Sequence, residues 1–350
     1  LELKLKTEQV EGSEEYRINF DISSERSKSG SHYTPEELVQ PLIKHSLEYL
    51  IEDRVKLYND KKADKEKTVQ SLLNLKICDV ACGSGHILLS AARRVSLEIA
   101  RVQTGEDQPN PLALRKAMKD VVRNCIYGVD KNPLAVELCK IALWLESHNP
   151  GEPLNFLDHH IKCGDAIVGL AHKEELLKGI PTEAFNRLPG DDKDVSSELK
   201  KKNQKEVFAR EKRKQLPIDF NKSIDTKLKG VASQIEDFSH LPESTPEEVE
   251  AKRQKYIEIN SGSDWWRLKN LADIQTAQFF IPKTEGNESK IVTDARYFEL
   301  LSKKQIIGDF LYKAEEMQRE KRFFHWFLEF PEVFEGGGFD CILGNLLYLG

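Results

Sequence analysis

The stretch Leu75-Lys76-Ile77-Cys78-Asp79-Val80-Ala81-Cys82-Gly83-Ser84-Gly85-His86 decides the fold of this chain. Its apolar run over 75–81 predicts a short buried strand, and a helical pattern then runs from about His86 to Val102. Between them, two glycines let the backbone turn tightly, so a ligand can approach the main chain and meet free N–H groups at a helix start. Alone, such a G-x-G turn is a weak signal, shared by many nucleotide-binding folds and by plain structural turns. No Gly-Lys-Ser/Thr follows, so it is not a phosphate-cradling loop. Leu88 stands where the third glycine of a dinucleotide fingerprint belongs, which leaves a nicotinamide dehydrogenase without support.

The same unit recurs. Cys125–Val129 predicts a second strand, followed by Asp130-Lys131-Asn132-Pro133 and a helix from about Leu134 to Leu145. A third strand is expected at His160–Cys163, ending in Gly164-Asp165, and a fourth at Phe339–Leu343. Strands alternating with helices predict parallel pairing in a doubly wound α/β sheet, with ligands at the C-terminal strand ends. All the Gly- and Asp-bearing turns fall at those ends. Asp130, 45 residues after Gly85, can accept both hydroxyl protons of a ribose, or can simply cap a helix. Three acidic strand ends in successive units carry more weight than any one of them.

Around these units, residues 1–30 alternate (Leu1, Leu3, Leu5) and then turn polar, which predicts an edge strand or arm followed by a loop. Thr34 is expected to cap a helix with Pro35 at its first position and Leu38, Leu42, Leu47 and Leu50 on its apolar face. Residues 59–68 look like a charged, solvated loop. From 171 to about 335 the chain is charged and helical in pattern, too long for an ordinary crossover, and reads as an inserted subdomain. Within it, residues 200–229 carry 11 Lys/Arg against 4 Asp/Glu, while 231–260 carry 3 against 7. The basic stretch suits either DNA phosphates or a solvated helical face.

Composition sets the outer limits. The 350 residues are 39% hydrophobic and 31% charged, enough apolar material for a substantial core and too much for a disordered chain. No run of 18 apolar residues occurs, which excludes a transmembrane helix. A net charge of −6 neither announces nor excludes a nucleic-acid partner, since binding depends on where charges lie. Six cysteines without a C-x-x-C pair, and no signal peptide, fit buried reduced thiols in a cytoplasmic protein. No metal site is expected: His159-His160 with Cys163 has loose ligand spacing and lies partly on a buried strand. Trp265-Trp266 suits a helix anchor better than base stacking, and Glu2 and Lys4 form no recognisable nuclease triad. Neither Leu1 nor Gly350 looks like a natural terminus, so the chain reads as a segment of a longer protein, cut just after its fourth strand.

Five motifs in fixed order then point to a family: Gly-Ser-His-Tyr-Thr-Pro (30–35), Asp-Val-Ala-Cys-Gly-Ser-Gly (79–85), Gly-Val-Asp-Lys-Asn-Pro-Leu-Ala-Val-Glu-Leu (128–138), Gly-Asp (164–165) and Gly-Phe-Asp-Cys-Ile-Leu-Gly-Asn-Leu-Leu-Tyr (338–348). The chain resembles the large DNA adenine-N6 methyltransferases of restriction-modification and related phage-defence systems, over about 28–170 and 320–350. Phe324-His325-Trp326 and Glu329-Phe330-Pro331-Glu332-Val333-Phe334 are similar to their lead-in to the catalytic strand. The resemblance implies a Rossmann-like sheet that binds S-adenosylmethionine. Tyr33, Thr34 and Pro35 would close over its methionine part, and Asp79, Ala81 and Gly83 would line the methionine and sulfonium end. Asp130 would hold the ribose, Asn132 and Pro133 would flank the adenine, and Asp165 would accept from its exocyclic amine. The expected division is an arm (1–30), a cofactor-binding core (31–170), a helical insertion (171–335) and the catalytic strand (336–350).

The last motif departs from the family. Where the family has Asn/Asp-Pro-Pro-Tyr/Phe, this chain has Asn345-Leu346-Leu347-Tyr348. The implied chemistry needs an adenine flipped out of duplex DNA. The Asn345 side-chain oxygen and the next carbonyl accept the two protons of its N6 amine, and Tyr348 stacks on the base. Prolines fix φ near −65° and so aim that carbonyl. Leu346 and Leu347 remove this constraint and add bulk, so methyl transfer is expected to be impaired while cofactor binding persists. Two other readings share parts of the pattern: a non-catalytic cofactor- and DNA-binding subunit of a defence complex, and a methyltransferase acting on a protein glutamine amide. The 30–35 arm and the large insertion argue against the second.

Overall fold

The computed structural model describes residues 3–9, 16–22, 34–60, 64–213, 218–303 and 305–345. Its centre is four short, mostly buried strands: β3 (Ile77–Asp79), β4 (Ile126–Asp130), β5 (Ile161–Cys163) and β6 (Cys341–Leu343). They form one parallel sheet in the order β5-β4-β3-β6. The register sets Asp79 against both Gly128 and Leu343, and Asp130 against Cys163. The sheet therefore finishes evenly, with every acidic turn on one rim. Strands β1 (Leu3–Gln9) and β2 (Tyr16–Ile22) form a separate antiparallel pair, where one edge strand was expected.

Helices α1 (Glu36–Ser46), α2 (Glu48–Asn59), α3 (Lys65–Leu73), α4 (His86–Thr104), α5 (Pro111–Asn124) and α6 (Pro133–Ser147) contribute to the same core as one face of the sheet. That face presents Ile77, Ile126, Ile161, Cys341 and Leu343. The opposite face, with Cys78, Tyr127 and Val129, meets Phe324, Phe330 and Val333. An aromatic segment thus covers the side where a doubly wound sheet carries crossover helices. Ile342, on β6 at the rim of that face, is 63% exposed.

Several local expectations shift for physical reasons. Pro35, with ψ 143°, is itself the residue before α1, so Thr34 lies one position too early to cap it. The buried stripe of α1 and α2 is Val39, Ile43, Leu47, Ile51 and Val55, a run of i, i+4 steps, whereas Leu38 is 59% exposed. Asp64 accepts from the Lys67 N–H and starts α3 inside the segment read as a loop. Helix α5 was not anticipated, although Asn110-Pro111 carries its signal: Asn110 accepts from the Ala113 N–H, and the proline takes the first turn.

Between β5 and β6 the described chain is helical: α7 (Lys193–Arg213), α8 (Ile218–Ser239), α9 (Pro246–Ser261), α10 (Ser263–Ala277), α11 (Asp294–Ser302), α12 (Asp309–Lys321), α13 (Trp326–Glu329) and α14 (Pro331–Glu335). These helices build their own apolar cluster around Leu271, Ile274, Tyr297, Phe310 and Leu328. Lys201, Lys202, Lys205 and Lys212 of α7 are exposed. Trp265 packs against the core and Trp266 is 42% exposed. His159 and His160 are fully buried among Phe156, Tyr127 and Phe238, and burial holds both imidazoles well below their usual pKa. No cluster of three potential metal ligands occurs among the described residues, and no helix among them is long and apolar enough to cross a membrane.

Candidate functional site

The rim of the sheet gathers the residues singled out in the sequence. Asp79 closes β3 and is 1% exposed. Its Oδ1 accepts the Ala81 N–H at 3.0 Å, while Oδ2 has no hydrogen-bond partner. Burial, opposed by the Ala81 hydrogen bond and reinforced by the charge of Asp130, raises the Asp79 carboxyl to about 7. The turn after it is built by glycines that must be glycines. Gly83 has φ +53° with open space where a side chain would stand, and Gly85 has φ +88° with a would-be Cβ 2.8 Å from the Cys139 Sγ. His86, the first residue of α4, pairs with Glu36 at 2.9 Å, which ties the Gly turn to the start of α1.

Asp130 ends β4 and organises both neighbouring turns. Its Oδ2 accepts the Gly83 N–H at 2.9 Å and its Oδ1 accepts the Asn132 N–H at 2.7 Å. Asn132 in turn caps α6 by accepting from the Leu134 N–H at 3.0 Å, and Pro133 takes the first helical position. A carboxylate offers about four lone-pair sites. Asp130 therefore keeps acceptor capacity after holding the two turns. Asp165, two residues past β5, accepts from the Ile167 N–H at 3.3 Å and pairs with Lys131 at 2.8 Å. Lys131 was not among the expected site residues; its position between Asp130 and Asn132 was the available signal.

Asn345 follows β6 by two residues. Because β6 runs beside β3, the Val80 N–H reaches the Leu343 carbonyl at 3.3 Å and Asn345 stands on the same rim as Asp79. The Asn345 Nδ2 donates to the Thr34 Oγ1 at 3.3 Å. Thr34 thus contacts the β6 end rather than capping a helix, a contact that chain separation hides from sequence reading. The rim brings together Thr34, Pro35, Asp79, Ala81, Gly83, Asp130, Asn132, Pro133, Asp165 and Asn345. Tyr33, Leu346, Leu347 and Tyr348 lie outside the described residues.

The C-terminal rim of one parallel sheet thus carries a Gly turn, three acidic ends and an asparagine, and two family models cover these positions. The N-6 DNA Methylase model matches residues 14–165, which include the first three acidic turns. A second model, Eco57I restriction-modification methylase, matches residues 124–345, more than half of the chain and as far as Asn345. The chain belongs to the Eco57I restriction-modification methylase family. Over 205 residues it is 27% identical to a putative type II restriction enzyme and methyltransferase of Methanocaldococcus jannaschii, a match covering 45% of this chain and 17% of that relative. No solved structure matches the chain.

Proposed function

We propose that this chain is the S-adenosylmethionine-binding core of a DNA adenine-N6 methyltransferase, on a Rossmann-like sheet, whose transfer step is impaired by Leu346 and Leu347. The observation that carries this reading is the meeting of Asp79, Asp130, Asp165 and Asn345 on one sheet rim, around a glycine turn tied to Asp130. The division into arm 1–30, core 31–170, insertion 171–335 and catalytic strand 336–350 belongs to the same proposal. Double-stranded DNA is the partner, with further defence-system subunits as additional ones, and the free cysteines suit a cytoplasmic setting.

The residues present fit that cofactor. The orphaned Asp79 Oδ2 is a buried carboxyl oxygen without a partner, and the cofactor's ammonium would supply one and favour the ionised carboxylate. Open space at Gly83 lets a ligand lie against the main chain beside Ala81. Thr34 and Pro35, with Tyr33, would close over the methionine part. The remaining acceptor capacity of Asp130 suits a ribose diol, Asn132 and Pro133 would flank the adenine, and Asp165 would accept from its amine. When bound, the cofactor supplies an electrophilic methyl group.

This chain's own residues would prepare the nucleophile. Asn345 Oδ1 and the carbonyl of residue 346 accept the two N–H groups of a flipped adenine, so that the N6 lone pair faces the methyl group. The Tyr348 ring stacks on the base. Two leucines after Asn345 leave that carbonyl without the fixed φ of a proline, and misplacement by 1 Å costs on the order of 100-fold in rate.

Transfer of labelled methyl groups from S-adenosylmethionine to adenine-containing duplex DNA tests the reading. Binding of the cofactor with weak or no transfer is expected. Labelling of cytosine, or of protein glutamine, would overturn the assignment. The absence of both motif prolines favours the second reading, a non-catalytic cofactor- and DNA-binding subunit, if transfer stays undetectable after the prolines are restored.

A further inference from the structure

The loop after β5, which carries Asp165, does not rest on the sheet alone. Segment 322–326, far away in sequence, runs beside it as a parallel ribbon. The Asp165 N–H donates to the Arg322 carbonyl at 2.7 Å, the Phe324 N–H to the Val168 carbonyl at 2.8 Å, and the Trp326 N–H to the Leu170 carbonyl at 2.9 Å. The Trp326 indole N–H reaches the Ala166 carbonyl at 2.9 Å. The contact is so close that a Cβ on Gly169 would lie 2.0 Å from the Phe324 carbonyl oxygen, and one on Gly164 would lie 2.4 Å from the Phe324 ring. Arg322 is held at φ +59°, alone in that region among the described non-glycine residues, with its guanidinium on the Cys163 Sγ at 3.0 Å. A non-glycine residue in this conformation costs roughly 1 kcal/mol or more and persists only where its surroundings enforce it.

His325 ties this ribbon to the helical insertion. Its Nδ1 accepts the Leu170 N–H at 3.1 Å, and its Nε2 lies 2.9 Å from the Asp273 Oδ1 in α10. Accepting at Nδ1 places the ring proton on Nε2, which therefore donates to Asp273. Lys269 holds the other oxygen of Asp273. His325 is 2% exposed and Asp273 is fully buried, so the imidazole has one orientation and both nitrogens are used.

We infer that His325 and Trp326 are positioning residues that fix the Asp165 carboxylate for recognition of the cofactor's adenine amine, so that the insertion sets adenine selectivity. This rests on the reading of Asp165 given above. The histidine acts only through the loop: it anchors Leu170 while Trp326 anchors Ala166, on either side of Ile167, whose N–H donates to the Asp165 Oδ1 and so orients the carboxylate. An Asp165 that is held still distinguishes a 6-amino group, which donates, from a 6-oxo group, which only accepts. One that swings with its loop does not.

Calorimetric titration with S-adenosylhomocysteine and its 6-oxo analogue, S-inosylhomocysteine, tests this on the full chain. The wild type should prefer the amine by about 10-fold or more, the loss expected when a polar site group is left without its partner. In His325→Gln, which withdraws the Nδ1 acceptor, that preference should fall to within about threefold. His325→Asn restores an acceptor near the Nδ1 position and should recover most of the preference. Trp326→Phe, which deletes one N–H and keeps a ring, supplies a milder perturbation and should lose part of it. Thermal melts confirm that each variant is folded. A folded His325→Gln that retains the wild-type preference, together with an unchanged Trp326→Phe, overturns the inference. A wild type that shows no preference overturns the Asp165 reading itself, so the two failures are distinct.

Discussion

The two halves of the sheet rim are held in different ways. On the β3–β4 side, the backbone does the holding: Asp130 accepts from Gly83 and Asn132, Asp79 accepts from Ala81, and Asn132 caps α6. On the β6 side, among the described residues, the Asn345 side chain makes one hydrogen bond at 3.3 Å, to Thr34, more than 300 residues away in sequence. Strand β6 is also an outer strand of the sheet. The first half is therefore arranged before any ligand arrives. In the second, the two prolines that the resemblance calls for after Asn345 are leucines. Binding and transfer should accordingly be separable in this protein.

The largest effect that could break this contrast is on binding. Asp130→Ala removes the acceptor for two backbone N–H groups and for the proposed ribose contact, so S-adenosylmethionine affinity should fall by about 100-fold or more. Equal affinity of wild type and variant by calorimetry would remove the cofactor assignment. Next in size is the opposite half. Replacing Leu346 and Leu347 together by proline should raise methyl transfer to duplex DNA by about 100-fold, with cofactor affinity unchanged within about twofold. No gain in labelled DNA would show that something other than the two leucines limits the β6 side.

The β3–β4 half was legible in the sequence because its turns and caps are local, although the Gly83–Asp130 hydrogen bond that joins them spans 47 residues. Asp79, Gly83, Gly85, Asp130, Asn132 and Pro133 act within a few residues of a strand end, where turn and cap chemistry leaves a recognisable order. The parallel pairing followed from strand–helix alternation for the same reason. What stayed hidden depends on distant chain segments. Nothing local tells Thr34 to face Asn345, Lys131 to pair with Asp165, or segment 322–326 to line the β5 loop. Helix α1 illustrates the limit: of the expected stripe Leu47 is buried and Leu42 and Leu50 pack against the core, but Leu38 is exposed and Val39 and Ile43 carry the inward side.

A smaller effect sharpens the contrast through pH. The Asp79 carboxyl is raised from 3.8 to about 7, so the folded protein holds a proton there that the unfolded chain has released. Asp79 thus contributes stability that is full below about pH 4 and declines as pH rises through the folded value near 7. The slope is up to about 1.4 kcal/mol per pH unit within that window. Asp79→Asn should abolish this component, so the stability difference between variant and wild type should grow in the variant's favour from pH 5 to pH 7 in urea titrations. A difference independent of pH would mean that Asp79 is ionised throughout.

The smallest effect concerns the hydrogen bond between Asn345 and Thr34. Thr34→Val keeps the shape of the side chain but removes the oxygen that receives the Asn345 amide N–H, freeing the amide to turn its donor face toward the target amine. In the proline-restored protein, this should lower the transfer rate by about threefold to tenfold, the value of one partly exposed hydrogen bond. Thr34→Ser should retain the wild-type rate. Because the loss acts on amide orientation, it should appear in the rate at saturating DNA; valine keeps the shape that Thr34 would present to the methionine part, so cofactor affinity should fall by less than the rate, by about threefold at most. A fall in cofactor affinity as large as the fall in rate would show that the Thr34 hydroxyl, and not only its shape, serves the methionine part, and would join the two halves of the rim through that one side chain.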